Sequence, residues 1–221
     1  MSTVGELIQR VQFAFNGRIQ KDKYHLRNRL IYSALISSKN LLMFQKINKK
    51  QSIAPYNYKT IACVKLVKAP LYDCPCVPPV GCTFLKSEYP LPDVVGGIGN
   101  AIDLEVTSLD NNLNFTYITP ERIKYISYSK YNKHINYFLI IDKYLYVLSK
   151  NAGRLVAVTG LFEDFVEVEN YPGLCNTCED CEPCKSPMEI EFPISKELEQ
   201  VLVDMAVTEL LKTRNINESK E

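Results

Sequence analysis

The sequence lacks the features that mark membrane proteins and exported proteins. No apolar run approaches the ~18 residues that a membrane-spanning helix requires. The first residues, MSTVGELIQRV, carry Glu6 and Arg10 where a signal peptide needs an uninterrupted apolar segment. We therefore expect a protein that is neither exported nor embedded in a membrane.

Motifs of the common enzyme classes are also missing. The chain contains no G-x-S-x-G, no H-E-x-x-H and no Walker loop. In the run Gly96-Gly97-Ile98-Gly99, Gly97 and Gly99 match the first two glycines of the dinucleotide-binding fingerprint G-x-G-x-x-G, but the third glycine does not follow. The run therefore predicts a turn. Only two histidines occur, His25 and His134, and neither has a neighbouring carboxylate in the sequence to orient it. These absences predict that the protein catalyses no reaction.

Charged residues are segregated along the chain, although the net charge is only +1. Residues 17–50 carry nine Lys or Arg against one acid, and residues 163–209 carry thirteen acids against two Lys. This pattern is compatible with solvated helix faces, with contact between complementary protein surfaces, or with phosphate binding. The candidate contact residues in the basic segment are Arg27, Arg29, Lys46, Lys49 and Lys50.

Apolar periodicity predicts helices at both ends of the chain. Thr3 and Glu6 fit a capping box before a first helix that ends near Asn16-Gly17. A second helix is predicted from Asp22 to Lys50, about 40 Å long. After Pro193, Ser195 is the predicted N-cap of a third helix. The apolar positions expected on one face of this third helix are Leu198, Val201, Leu202, Met205 and Leu210.

Between these helices, short β-rich runs alternate with turn residues. The runs are IACVKLV, CTFL, IDLEVTS, NFTYIT, NYFLII, YLYVLS and RLVAVTGLF. Asp142-Lys143 predicts a hairpin. The predicted fold is α+β, a helical bundle of the terminal helices with a central β-rich insertion. We expect one domain over 1–221, with a helical part at 1–50 and 193–214 and the insertion at 51–192.

The stretch YISYSKYNKHINYFLIIDKYLYVL interleaves tyrosine with lysine. Exposed aromatic and basic side chains in this arrangement suit single-stranded nucleic acid. Alternating tyrosine is equally typical of an ordinary strand with a half-buried face. We favour the strand.

Four of the eight cysteines lie in CNTCEDCEPC, as Cys175, Cys178, Cys181 and Cys184. A bacterial ferredoxin has a longer last gap followed by proline, which disfavours an iron–sulfur cluster. If an ion is bound, we predict zinc. The four cysteines alone could surround one ion only with a cramped backbone, so a mixed site that includes Cys74, Cys76 or Cys82 is sterically easier. Disulfides formed after release from the cell, and free thiols, remain alternatives. The predicted role is structural in each case.

Three blocks of sequence resemble structural proteins of the crAss-like gut bacteriophages, from the connector between portal and tail. They are ELIQRVQFAFNGRIQKDKYHLRNRLIYSALISSKNLLMFQKINKKQSI, APLYDCPCVPPVGCTFLKSEYPLP and AVTGLFEDF. The order of helices and strands is also similar to that of the head-to-tail adaptors of short-tailed phages.

This resemblance implies a non-enzymatic ring protein of the virion, commonly with twelve copies, that surrounds the DNA exit channel at the head–tail junction. Its partners would be further copies, the portal and tail or neck proteins, with nonspecific contact to packaged DNA and assembly in the host cytoplasm. A ring closes through contacts in which one face meets a different face, which agrees with segregated charge. The alternative function is a cytosolic zinc-dependent nucleic-acid-binding protein.

Overall fold

The computed structural model describes residues 2–18, 26–69, 84–96, 104–123, 135–148, 153–172 and 186–218. The helices in these residues are α1 (Val4–Arg18), α2 (Asn28–Asn48), α3 (Phe165–Glu169) and α4 (Lys196–Glu218). The strands are β1 (Lys59–Lys68), β2 (Phe84–Ser87), β3 (Glu105–Ser108), β4 (Asn114–Tyr117), β5 (Asn136–Ile141), β6 (Tyr144–Leu148) and β7 (Leu155–Gly160). The chain divides into a helical unit, Met1–Asn57 with Glu182–Glu221, and a barrel unit, Tyr58–Cys181.

Helix α1 begins with the predicted capping box. The Thr3 backbone N–H donates to Glu6 Oε2 at 3.2 Å, and the Glu6 N–H donates to Thr3 Oγ1 at 3.3 Å. The Val4 and Gly5 N–H groups donate to backbone carbonyls of the segment before α4. Backbone N–H groups in the first turn of a helix have no acceptor within the helix, and those of Val4, Gly5 and Glu6 find acceptors outside the helical hydrogen-bond pattern here. Four apolar residues at helical spacing, Leu7, Ile8, Val11 and Phe15, form a buried stripe along the helix.

Helix α2 begins at Asn28, six residues later than predicted. Arg27 precedes it with extended backbone (φ −67°, ψ 132°), and Asp22, the predicted cap, lies outside the described residues. The 21-residue helix is therefore about 30 Å long rather than 40 Å. It ends as predicted near Lys50, whose positive φ of 53° closes the C-terminus. The Lys50 N–H donates to Ile47 O and the Gln51 N–H to Lys46 O, a Schellman pairing.

Helix α4 follows Ser195 as predicted, but its apolar residues do not share one face. Leu202 and Leu210 are buried against α1 and α2, together with Val203, Ala206 and Val207. Val201 is exposed and Met205 is half-buried. A helix turns by about 100° per residue, so these two side chains point away from the core side. The prediction of a single apolar face is wrong.

In the barrel unit the seven described strands close in the order β1-β2-β6-β5-β4-β3-β7. All neighbours are antiparallel except β4 and β5, which are parallel. Each predicted β-rich run overlaps one of these strands. Asp142 and Lys143 form the predicted two-residue hairpin between β5 and β6, with φ of 49° and 68°. Positive φ at both positions is what a type I′ turn requires.

Alternate strand residues fill the barrel with one apolar core. Pairs such as Phe138 and Ile140 in β5, or Val156 and Val158 in β7, face this cluster. Burying each such side chain stabilises the fold by about 1.5–3 kcal/mol. The other face of β5 is covered as well, because Tyr137 and Leu139 pack in a second cluster with Ile118, Ile123 and Tyr146.

The predicted fold, a helical bundle with a β-rich insertion, is therefore wrong. The β-rich part is a closed barrel with its own core and contains α3, whereas α1, α2 and α4 belong to a separate compact unit. Short strands with alternating burial leave unpaired edges unless the sheet is covered or closed. Pairing of β1 with β7 removes those edges here.

Candidate functional site

The seven cysteines considered as zinc ligands lie outside the described residues. They are Cys175, Cys178, Cys181, Cys184, Cys74, Cys76 and Cys82. Within the described residues, no group of three or more His, Cys, Asp or Glu side chains is placed to hold a metal ion. Both histidines also lie outside this part of the chain. Zinc binding by the cysteine run stays a prediction.

Cys63, the remaining cysteine, lies in β1 at an irregularity of the barrel. The register between β1 and β7 shifts between Ile61 and Val64, and Cys63 has a positive φ of 61°. An extra residue in one strand of a pair is the mark of a β-bulge. The Cys63 side chain is buried and disulfide-bonded. This disulfide ties the bulge to another part of the chain.

The predicted basic contact residues form two groups at opposite ends of α2. Arg27 and Arg29 are exposed at its N-terminus. Lys49 and Lys50 are exposed at its C-terminus, with Lys46 half-buried in the last turn. A 21-residue helix separates the groups by about 30 Å. The five residues therefore do not form one phosphate-binding cluster.

The tyrosines that suggested a nucleic-acid surface are partly used by the barrel. Tyr137 and Tyr146 are buried in the second apolar cluster. Tyr144 is half-buried, and the Lys86 Nζ lies 4.1 Å from the centre of its ring. Buried rings have no free face for stacking on a base, so the strand interpretation holds for Tyr137 and Tyr146.

Exposed apolar side chains on the helical unit were missed by sequence reasoning. Phe13 in α1 is 84% exposed, and it falls between the buried Val11 and Phe15. Three large apolar side chains of α2 are also exposed: Leu30, Leu41 and Phe44. The sequence indicates these residues by their spacing. They do not follow the i, i+3, i+4 spacing of the buried residues and therefore lie on a different side of each helix.

A groove of about 580 Å³ runs between α2 and α4. Its apolar lining comes from Leu41, Val201 and Met205, and its charged lining from Asp204, Glu209 and Lys212. We call this surface the α2/α4 groove. An apolar concavity with a few polar groups at its margin is typical of a binding surface.

No helix in the described part of the chain is long and apolar enough to cross a bilayer.

Exposed apolar helix surfaces and opposed charges suit a protein that assembles rather than one that catalyses. The family model for phage tail ring protein 2 matches residues 6–221. Ring protein 2 of Bacteroides phage crAss001 is 29% identical over 196 residues, which span 86% of this chain and 82% of that protein. These matches confirm the resemblance to the crAss-like phages. The chain belongs to the phage tail ring protein 2 family and is a structural ring protein of the phage virion.

Proposed function

We propose that copies of this chain form a ring of the head-to-tail connector, between the portal and the tail. The family match over residues 6–221 carries this proposal. The resemblance of the three sequence blocks to crAss-like connector proteins supports the position at the head–tail junction. A ring that continues from a dodecameric portal without a symmetry mismatch has twelve copies, and we propose this number.

Packaged DNA would leave the head through the centre of such a ring. The barrel of each copy is no passage, because apolar side chains fill its interior. The channel is therefore enclosed by the copies together. The exposed lysines at the C-terminal end of α2, Lys49 and Lys50, supply charge for nonspecific phosphate contact.

The proposed role requires no chemical step. Positioning, sealing and joining of neighbouring proteins depend on complementary surfaces rather than on activated nucleophiles or bases. We expect no hydrolase or nuclease activity from the purified chain. Metal-dependent DNA cleavage that disappears on mutation of one of its own acidic residues would overturn this part of the proposal.

Assembly of the purified chain tests the proposal directly. The chain, alone and mixed with the portal protein of the same phage, is analysed by size-exclusion chromatography with light scattering and by electron microscopy. We expect a ring, or a monomer that assembles on the portal. Duplex DNA is titrated in parallel at two salt concentrations. A monomer that ignores the portal but binds DNA with steep salt dependence would contradict the proposal and support the nucleic-acid-binding alternative.

A further inference from the structure

Phe13 and the α2/α4 groove lie on opposite faces of the helical unit. In α1, Phe13 is two residues from both Val11 and Phe15, so it points about 160–200° away from the buried stripe. In α4, the groove residue Val201 is two residues, or about 200° around the helix, from Glu199, which pairs with Arg10 of α1, so Val201 faces away from α1. A protruding aromatic on one face and an apolar groove on the opposite face suit head-to-tail contact between identical copies.

Charge around these two surfaces is complementary. Gln12, next to Phe13, donates from Nε2 to Asn28 Oδ1 at 3.2 Å, which places the start of α2 beside this part of α1. Arg27 and Arg29 flank Asn28 and are exposed. Two exposed arginines therefore lie at the end of α2 that is close to the turn of α1 carrying Phe13. The lining of the α2/α4 groove carries two acids, Asp204 and Glu209, against one base, Lys212, and is net acidic.

We propose that Phe13 of one copy inserts into the α2/α4 groove of the next copy around the ring. Arg27 and Arg29 of the first copy then face Asp204 and Glu209 of the second. This contact accounts for the exposure of Phe13, Leu41 and Val201 and agrees with the segregation of basic and acidic segments. It rests on the proposed ring and names the surfaces that close it.

Two single substitutions separate the two halves of the contact. Phe13→Asp removes the inserting side chain, and Val201→Asp places a charge in the groove without touching the core, because Val201 is 44% exposed. Leu109→Asp is the matched control, since Leu109 is 43% exposed in the barrel unit. By light scattering, each interface variant should need about 100-fold more protein for half-assembly, as expected for a central aromatic anchor. The control should assemble like the wild type.

Mixing the two variants tests the head-to-tail arrangement. The Phe13→Asp chain keeps an intact groove, and the Val201→Asp chain keeps Phe13. One productive contact therefore remains in a 1:1 mixture. We expect a heterodimer that grows no further. If the mixture stays monomeric while both variants remain folded by circular dichroism, Phe13 does not enter the groove and the proposal is overturned.

Reversal of charge tests the margin of the same contact. The Arg27→Glu/Arg29→Glu double variant should lose assembly while keeping its melting temperature, because exposed charges contribute little to stability. Adding Asp204→Lys and Glu209→Lys to the same chain should restore assembly. A double variant that melts far below the wild type, or a fourfold variant that stays monomeric, contradicts the pairing.

A photoreactive benzoylphenylalanine at position 13 gives a direct readout on the full chain. The expected product joins position 13 of one copy to residues 37–41 or 201–212 of another, identified by mass spectrometry. Rings that form normally from both interface variants and give no such product overturn this contact and leave the proposed ring in place. A chain that is monomeric at every concentration and gives no product overturns the contact between copies, while its assembly on the portal is judged separately.

Discussion

Arg10 Nη1 lies 2.9 Å from Glu199 Oε2 and ties helix α1 to helix α4. The Glu199 side chain is 7% exposed, whereas that of Arg10 is 54% exposed. Ser2 Oγ donates to the same carboxylate oxygen at 3.0 Å. Among the described residues, Glu199 Oε1 has no hydrogen-bond partner. A buried carboxylate therefore depends on two groups near the N-terminus.

Removal of the arginine should destabilise the helical unit. Arg10→Ala leaves a buried carboxylate with one donor fewer, and breaking a buried pair in this way costs about 3–5 kcal/mol. Because Arg10 is half exposed, we expect the lower end of this range. Lys143→Ala is the control, because the Lys143 Nζ pairs with Asp93 Oδ2 at 2.7 Å with both side chains about half exposed. That change should cost much less than Arg10→Ala, because solvent screens an exposed ion pair.

The measurement is the free energy of unfolding in urea, followed separately for helix content and for barrel tyrosine fluorescence. Equal losses in Arg10→Ala and Lys143→Ala would show that burial of Glu199 does not raise the strength of its pair.

Ser87 connects β2 to β6 inside the barrel unit. Its hydroxyl accepts from the Leu145 N–H at 3.1 Å and donates to Tyr89 O at 2.8 Å. Ser87→Ala leaves a buried backbone donor without its partner, which costs about 1–3 kcal/mol. Ser33→Ala, on the exposed side of α2, should change stability by about 0.5 kcal/mol or less. Urea unfolding of both variants checks this, and a Ser87→Ala chain as stable as Ser33→Ala would contradict it.

Tyr171 gives the barrel unit a specific sensitivity to high pH. Burial, with a smaller contribution from Glu88, raises the pKa of Tyr171 from 10.0 to about 12. Its hydroxyl donates to Tyr89 O at 3.0 Å. The folded state thus holds this proton more tightly than the unfolded state. Its stabilising contribution is complete below about pH 10 and is lost as pH rises to about 12.

Comparison of the wild type with Tyr171→Phe isolates this effect. The free energy of unfolding is measured for both from about pH 8 to pH 12. The wild type should be more stable at the low end, and the difference should shrink as pH rises. Tyr56→Phe, at an exposed tyrosine, should give a curve parallel to the wild type. A constant difference between the wild type and Tyr171→Phe would refute the assignment.

The disulfide at Cys63 limits the number of free thiols. It uses two of the eight cysteines, so the denatured, unreduced chain should have at most six titratable thiols. Eight thiols in the unreduced chain would exclude the disulfide.

Zinc bound at CNTCEDCEPC would appear in elemental analysis of the reduced, chelator-free chain and would be lost in Cys178→Ser. Absence of zinc from the unsubstituted chain would exclude the metal site.

Local signals in the sequence predicted the local structure well. The Thr3–Glu6 capping box forms because both partners lie within one turn. The Asp142-Lys143 hairpin forms because two residues between β-rich runs leave the chain few other conformations. Closure of the barrel was missed because it depends on distant partners. Thr60 and Thr159 meet across β1 and β7 although they are 99 positions apart in the sequence.

The candidate site was missed for a different reason. The apolar residues of α4 were assigned to one face by type, although Val201 lies about 100° from Leu202 around the helix. Phe13 was overlooked because it falls outside the stripe formed by Val11 and Phe15. Sequence periodicity identifies the buried side of a helix. An aromatic residue that does not fit this periodicity indicates a second apolar surface, which is exposed. Arg27 and Arg29 are exposed, and their role as contact residues stays a prediction.

Electron cryomicroscopy of the purified virion tests the central claim most directly. The account predicts a ring of density between portal and tail, with twelvefold symmetry. Each of its subunits should fit the seven-stranded barrel and the three long helices α1, α2 and α4. Another rotational symmetry would contradict the copy number alone. Absence of this fold from the head–tail junction, or its presence only elsewhere in the particle, would contradict the proposed function.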